Sequence, residues 1–200
     1  MIGIINYGLG NINAIKNIYD EYNIKTHEIS SEDSFKPEIK KIILPGVGSF
    51  DNAINNLKEI NLFQKLLEFS KVKKNYLLGI CVGMQILANK SEEGTQKGLG
   101  IIPGRIVKFN SNYVTPNMGW HTINMKNTNL IFKNISNQSK FYFLHSYYFE
   151  PDSQNHILSD TIYYKKFPSI VFNKNIFGIQ FHPEKSHDDG KKILLNFYNL

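Results

Sequence analysis

The sequence predicts an α/β protein in which a mainly parallel central sheet is flanked by helices on both faces. Short apolar strands alternate with amphipathic helices over the first ninety residues, which is typical of a parallel sheet. The second half carries a series of short strands with few helices between them, which indicates a more antiparallel C-terminal part. Because there is no repeat, linker or low-complexity segment, we expect one domain over residues 1–200.

The expected elements follow from the spacing of apolar residues. In the first half, strands are predicted at residues 2–6, 26–29, 41–44 and 76–80, and helices after Gly10, at 51–69 and at 82–89. The first helix carries an apolar stripe of Ile12, Ile15, Ile18, Tyr19 and Tyr22. In the second half, strands are predicted at 107–109, 122–124, 141–144, 161–164, 170–173 and 176–181, before a closing helix at 191–198.

Composition argues against several classes of function. The formal net charge is +6, but the positive charge is scattered lysine and Arg105 is the only arginine, so we do not expect nucleic-acid binding. A single cysteine rules out an internal disulfide framework. The apolar stretch at 76–88 is too short to span a bilayer, and the N-terminus lacks a basic, then apolar, leader pattern. We therefore expect a cytoplasmic protein without a membrane association.

The strongest local signal is the run Gly-Ile-Cys-Val-Gly at residues 79–83, between a predicted strand and a predicted helix. This pattern is typical of a nucleophile elbow, in which glycines permit a tight turn that lifts the nucleophile above the sheet. Cys81 would also lie at a helix N-terminus, where the helix dipole favours the thiolate. A small buried cysteine filling the core is the alternative, but the flanking glycines favour catalysis.

A thiolate nucleophile needs a base, and His182 is the best of six histidines. Pro183 favours an extended backbone at His182, and residues two apart in an extended chain point the same way. Glu184 could therefore orient the imidazole, which is the role of the third group of a triad. His-Pro-Glu alone could be coincidence, but together with Cys81 it makes a candidate triad.

Acyl transfer also needs donors for an oxyanion. One donor is expected from the backbone N–H of Val82, the residue after the nucleophile. The second is expected from Pro-Gly-Val-Gly at 45–48, since its glycines allow close approach and reorientation of the Gly46 and Val47 backbone. An ordinary turn that ends a strand is the alternative for this segment.

At this point the sequence resembles the class I (triad) glutamine amidotransferases. Cys-Val-Gly-Met-Gln at 81–85 is similar to their nucleophile motif, and Gln-Phe-His-Pro-Glu-Lys-Ser at 180–186 is similar to their His/Glu motif. Further segments at 6–11, 45–50, 91–94, 118–120 and 145–148 resemble the branch that supplies ammonia for histidine biosynthesis. The resemblance runs from residue 2 to residue 186 and implies the three-layer amidotransferase fold.

The resemblance implies that Cys81 attacks the side-chain amide of L-glutamine, that His182 protonates the departing ammonia, and that water releases glutamate from the thioester. It implies neither a cofactor nor a metal. The positions matching those that hold glutamine are Gln85, Glu93, Ser146 and Tyr147.

The resemblance also implies a partner, a TIM-barrel cyclase subunit that forms a heterodimer with the glutaminase and receives ammonia through a tunnel. That partner would make imidazole glycerol phosphate and an aminoimidazole carboxamide ribotide, and it would reorient the peptide at Gly46 and Val47. Trp120, Tyr142 and Lys185 match positions near the interface, although both aromatic residues could instead be core residues.

Two departures from the family pattern leave alternatives open. The usual Pro-His-Met-Gly-Trp-Asn is Pro-Asn-Met-Gly-Trp-His at 116–121, and Val82 replaces a commoner leucine. A paralogous branch supplies ammonia to a cyclase-like partner that builds an amidino group on a surface-glycan sugar. A non-catalytic binding module and a cysteine hydrolase of another α/β family are the other classes. The intact triad argues against a non-catalytic binding module. Gln85 together with Glu184 argues against a cysteine hydrolase of another family.

Overall fold

A computed structural model describes residues 1–200 and is organised around a mixed sheet of eight strands. The strands are β1 (Ile2–Ile5), β2 (Thr26–Ile29), β3 (Lys41–Leu44), β4 (Tyr76–Ile80), β5 (Lys90–Ser91), β6 (Gly104–Lys108), β7 (Asn117–Thr122), β8 (Asn124–Met125), β9 (Lys140–His145), β10 (Tyr147–Pro151), β11 (Ile157–Tyr163), β12 (Lys165–Asn173) and β13 (Ile176–Ile179). The helices are α1 (Ile12–Glu21), α2 (Phe50–Glu59), α3 (Leu62–Lys71), α4 (Val82–Gln85) and α5 (His187–Asn199).

The order of strands in the large sheet confirms the α/β prediction. It runs β2-β1-β3-β4-β13-β12-β11-β8, with parallel pairing from β2 through β13 and antiparallel pairing beyond. Two small sheets, β10-β6-β5 and β7-β9, are built mainly from the second half and are also mostly antiparallel. The chain therefore changes from parallel to antiparallel pairing as the sequence indicated. None of the helices has the length and apolarity needed to cross a membrane.

Helix α1 forms where the sequence can bury one face and cap one end. In α1, the side chain of Asn11 accepts a hydrogen bond from Ala14 N at 3.2 Å, which satisfies one of the free N–H groups of the first turn. Ile15, Ile18 and Tyr19 form the buried stripe of this helix. The Tyr19 hydroxyl donates to Leu194 O at 2.9 Å and ties α1 to α5.

Two predicted helices are shorter than the apolar spacing suggested. The helix expected at 51–69 is divided into α2 and α3, because Asn61 adopts a left-handed conformation with φ of 58°. The helix expected at 82–89 ends at Gln85. The carbonyls of Ile86, Leu87 and Ala88 accept hydrogen bonds from N–H groups at residues 99–102 instead of continuing the helix.

The second half also differs in detail from the prediction. The strand expected at 122–124 is two strands, β7 and β8, which meet at the buried Ile123. Strand β10 was not predicted, although it pairs with β6 over five residues. Its sequence, Tyr-Tyr-Phe-Glu-Pro, ends in a proline and lacks alternation of apolar and polar residues.

The parallel strands bring three sequence motifs to one edge of the sheet. Strand β3 is followed by Pro45, β4 by Cys81, and β13 by the segment that contains His182. Neighbouring strands β4 and β13 are aligned so that Ile80 pairs with Ile179. Since the carboxyl ends of parallel strands share one edge, the motifs converge there.

Gly83 illustrates how tightly this edge is packed. A Cβ at this position would overlap the carbonyl oxygen of Leu44 at the end of β3. We expect Gly83→Ala to lower the free energy of unfolding by about 2–3 kcal/mol, because backbone rather than a flexible side chain must move. Urea unfolding would measure this, with Asn17→Ala on the exposed face of α1 as the control. A wild-type unfolding midpoint for Gly83→Ala would contradict the packing argument.

Candidate active site

Cys81 stands on a sharp turn between β4 and α4. Its backbone has φ of 54° and ψ of −111°, an unfavourable conformation for a residue with a side chain. The turn is closed by glycines, since a Cβ on Gly79 would overlap the carbonyl oxygen of Gly83. The backbone N–H of Cys81 donates to Ile179 O at 2.8 Å. This is the nucleophile-elbow geometry, which explains why the run at 79–83 needs its glycines.

The Cys81 sulfur makes two long polar contacts. It lies 3.8 Å from the Leu144 carbonyl and accepts from Gln180 Nε2 at 3.8 Å. The residue is 4% exposed. The thiol is therefore enclosed without being held by a short hydrogen bond to either group.

His182 and Glu184 form a buried pair beside the elbow. His182 Nδ1 lies 2.8 Å from Glu184 Oε1, and each side chain is 2% exposed. The backbone at His182 is extended, as Pro183 suggested, with φ of −98° and ψ of 98°. Glu184, however, belongs to a 3-10 turn at Pro183–Lys185. The two side chains therefore meet because the chain turns back, rather than through the alternation of a strand.

The charge state of His182 follows from its neighbours. Burial lowers the pKa of His182, but hydrogen bonds and charge interactions with Cys81 and Glu184 outweigh burial and raise the pKa to about 10. Nδ1 is bonded to Glu184, and the buried Nε2 has no nitrogen or oxygen partner. Nε2 is therefore the ring atom available to the thiol, and the raised pKa favours the imidazolium form of His182.

The segment at 45–48 packs directly against the elbow. A Cβ on Gly46 would lie 2.9 Å from Gly83 N and 3.1 Å from Val82 Cβ. The Tyr7 hydroxyl donates to Pro45 O at 2.6 Å in a buried hydrogen bond. Val47, by contrast, is largely exposed. The segment is thus anchored at Pro45, while Gly46 and Val47, which follow it, lie beside the elbow that carries the thiol.

A cavity of about 240 Å³ opens over the sulfur. Drug-sized ligands occupy about 300–1,000 Å³, so this cavity suits a molecule as small as an amino acid. The predicted residues that line it are Val47, Cys81, Val82, Gln85, Glu93, Ser146, Tyr147 and His182. Gly46 and Glu184 lie behind this lining and contact it through Val82 and His182. No group of three or more His, Cys, Asp or Glu side chains is placed to hold a metal ion.

Gln85 and Glu93 both have structural contacts within the chain. Gln85 Nε2 donates to Tyr147 O at 3.1 Å and to Gln180 Oε1 at 3.2 Å. Glu93 Oε2 accepts from Phe50 N at 2.7 Å and so caps α2. Burial raises the pKa of Glu93, although the hydrogen bond from Phe50 opposes this. Each side chain is therefore fixed in place at the cavity wall.

Sequence reasoning assigned no role to two residues that the structure places here. Gln180 contacts both Cys81 and Gln85, and His145 lines the cavity behind Ser146. Both residues lie within segments that carry the family resemblance, and both are buried polar residues next to apolar ones, His145 at the end of β9 and Gln180 directly after β13. A polar residue inside an apolar run was the signal that could have identified them.

Trp120, Tyr142 and Lys185 form one cluster beside the His182 turn. Trp120 packs edge-on against Tyr142 at 5.9 Å and stacks on His187 at 4.8 Å. Lys185 Nζ lies 5.7 Å from the centre of the Tyr142 ring. Trp120 remains 41% exposed, so it is not a core residue.

Comparison with known proteins agrees with this geometry. A family model described as glutamine amidotransferase class-I matches residues 4–200. The imidazole glycerol phosphate synthase subunit HisH of Leptospira interrogans is 42% identical over 205 residues, covering 100% of both chains. Subunit HisH 2 of Methanococcus maripaludis is 43% identical over 199 residues, covering 98% of each. A crystal structure of a glutamine amidotransferase superposes with a TM-score of 0.77 at 16% identity, covering 100% of this chain and 99% of that one. The chain therefore belongs to the class I glutamine amidotransferase family.

Proposed function

We propose that this chain is a glutaminase subunit that hydrolyses L-glutamine to glutamate and ammonia. The observation that carries the proposal is the buried arrangement of Cys81, His182 and Glu184 at the base of a cavity of amino-acid size. We also propose that residues 1–200 act as one domain, since a single hydrophobic core extends from Ile2 to Phe197. The cytoplasm is the compartment we propose, because it keeps thiols such as Cys81 reduced.

The proposed reaction begins with attack of the Cys81 thiolate on the amide carbon of the glutamine side chain. The negative charge that develops on oxygen would be stabilised by the Val82 N–H and by the backbone at Gly46 and Val47. The imidazolium of His182 donates its Nε2 proton to the departing ammonia, which leaves a thioester on Cys81. His182 then accepts a proton from water, and the resulting hydroxide releases glutamate and restores the thiolate.

The substrate would be held by groups already fixed in the cavity wall. Glu93 has one oxygen on Phe50 N, which leaves the other for the ammonium group of glutamine. The segment at Ser146 and Tyr147 lines the opposite wall and can contact the substrate through its backbone. Gln85 contributes indirectly, because its amide nitrogen is used to hold Tyr147 O.

For the ammonia we propose a TIM-barrel cyclase partner that makes imidazole glycerol phosphate and an aminoimidazole carboxamide ribotide in histidine biosynthesis. Support comes from relatives of full length named as subunits of imidazole glycerol phosphate synthase. The half-exposed Trp120, with Tyr142 and Lys185, offers an aromatic and basic docking surface next to the base. Aromatic anchors of this kind are typical of interface centres.

A second candidate is ammonia supply to a cyclase-like partner in a surface-glycan pathway. It is favoured by the exchanged residues Asn117 and His121, which flank the exposed Met118 and Trp120 on β7.

Glutamate release would test both candidates. The purified chain is assayed with glutamine alone, and then with the histidine-pathway cyclase of the same genome and its ribonucleotide ligand. We expect slow hydrolysis alone and strong stimulation by the liganded cyclase, because the partner sets the segment at 46–47 in its working conformation. Slow hydrolysis without stimulation would transfer the partner assignment to the glycan pathway. An absence of glutamate release both with and without the cyclase would contradict the glutaminase proposal.

Tyr7 offers a test of the anchored oxyanion segment. Tyr7→Phe removes the hydrogen bond to Pro45 O, so we expect the free energy of unfolding to fall by about 1–2 kcal/mol. We also expect kcat/KM for glutamine to fall several-fold. Tyr22→Phe is the matched control, since Tyr22 is exposed at the end of α1. Equal kinetics for the two variants would show that the anchor does not position the segment.

A further inference from the structure

A continuous chain of hydrogen bonds runs from β7 to the wall of the cavity. His121 Nε2 lies 2.8 Å from Asn117 Oδ1, and Asn117 Nδ2 lies 3.0 Å from His145 Nε2. His145 Nδ1 lies 2.8 Å from Tyr147 O. We propose that His121, Asn117 and His145 are positioning residues that hold the Tyr147 carbonyl, and through it Gln85, in the geometry that binds glutamine. The inference rests on the proposed glutaminase function and names residues to which that function gives no role.

The series of hydrogen bonds from His121 to Tyr147 allows only one placement of the protons. The amide nitrogen of Asn117 donates, so His145 Nε2 must accept and its proton must be on Nδ1, from which it donates to Tyr147 O. The amide oxygen of Asn117 accepts, so His121 Nε2 must carry a proton. Each of the three hydrogen bonds then has one donor and one acceptor, and each residue fixes the orientation of the next.

The surroundings of His145 keep it neutral, as this arrangement requires. It is 5% exposed and lies among the rings of Phe109, Phe143 and Phe167, with centroid distances of 5.4, 5.8 and 5.1 Å. Burial in this apolar shell lowers the pKa of His145 to about 3. Asn117 is 0% exposed, so water cannot replace a lost bond without entering the core.

The Tyr147 carbonyl is the group through which this series of hydrogen bonds reaches the cavity over Cys81. It accepts from His145 Nδ1 and also from Gln85 Nε2 at 3.1 Å. Gln85, His145, Ser146 and Tyr147 all line the cavity over Cys81. The two bonds therefore fix one wall of the cavity relative to α4, which carries Gln85.

The chain also accounts for a departure from the family pattern. Asn117 and His121 are the two positions at which the usual His and Asn are exchanged, and here they are each other's hydrogen-bond partners. The exchange keeps one imidazole and one amide in the pair. It is therefore a reciprocal change within one interaction rather than two independent changes.

Kinetics and imidazole ¹⁵N NMR together test the proposal. The variants are Asn117→Leu, the double exchange Asn117→His/His121→Asn, and the control Lys140→Ala, an exposed site on the same small sheet. We expect Asn117→Leu to raise KM for glutamine about tenfold with kcat changed less, because the cavity wall and not the reacting groups is disturbed. We expect the double exchange and Lys140→Ala to stay within about threefold of wild type.

The NMR measurement does not depend on turnover. In the wild-type chain, His145 should be a neutral ring with its proton on Nδ1. A proton on Nε2, or a charged ring at neutral pH, would overturn the proposal even if Asn117→Leu fails to fold. A folded Asn117→Leu variant with wild-type KM would overturn it as well. If the wild-type chain does not hydrolyse glutamine, the glutaminase proposal is refuted instead. The NMR result would still decide the hydrogen-bond assignment.

Discussion

Replacing Cys81 with alanine will abolish glutamate release from glutamine and leave the folded protein intact. No other cysteine is present to form the thioester, so we expect a loss of at least about 10⁴-fold in kcat. The fold should survive because the sulfur's contacts with Leu144 O and Gln180 Nε2 are long, at 3.8 Å each, and alanine retains the Cβ that the turn accommodates. Glutamate release and urea unfolding of the same preparation provide the two measurements.

Cys81→Ser is the matched control for this variant. Serine keeps the size and polarity of the side chain but is a far weaker nucleophile at neutral pH, so we expect a similar loss of turnover. Residual activity equal to wild type in either variant would remove Cys81 from the mechanism. A collapse of stability in both variants would instead assign Cys81 a structural role.

Glu184→Gln will lower kcat on the order of 10³–10⁴-fold with a smaller change in KM. The carboxylate lies 2.8 Å from Nδ1 of His182, and its hydrogen bond and charge help to raise the pKa of that ring. The glutamine side chain introduced at position 184 keeps the size of the glutamate side chain but lacks the charge that stabilises the imidazolium of His182. The effect therefore falls on the reacting groups rather than on substrate binding.

The pH dependence provides a second measurement for this variant. The raised pKa of His182 means that the imidazolium persists below about pH 10 in the wild-type chain. Removing a group that raises this pKa must lower it, so the alkaline decline of kcat should move to lower pH in Glu184→Gln. Glu38→Gln, at an exposed site, should show the wild-type profile. An unshifted alkaline limb in Glu184→Gln would contradict the assigned role of the carboxylate.

The sequence predicted best where local chemistry determines structure. Strands β3 and β4 match the expected bounds, because each is a short apolar run that ends at proline or at the elbow turn, and the more polar β2 matches as well. The helices were predicted less well. The apolar stripe continues through Asn61, and only the left-handed backbone there separates α2 from α3. The early end of α4 depends on hydrogen bonds from residues 99–102, which no local pattern reveals.

The site shows the same division between local and distant information. The elbow and the His-Pro-Glu run were visible because each is a short motif. The contact from Gln180 to Gln85 and the capping of α2 by Glu93 join residues 95 and 43 positions apart. Such contacts depend on the strand order of the sheet, which the sequence predicts only as a class. The Asn117–His121 pair was noticed as a departure, but its hydrogen bond required the geometry of β7.

The pairing of β4 with β13 has a consequence for the biogenesis of this protein. Cys81 belongs to the first half of the chain, whereas the strand beside it and the base beyond that strand come from the last quarter. Translation proceeds from the N-terminus, so the elbow is synthesised long before His182 emerges from the ribosome. A nascent or prematurely terminated chain therefore carries the thiol without its base. Assembly of the Cys81–His182–Glu184 site in one molecule therefore requires translation through the last quarter of its chain.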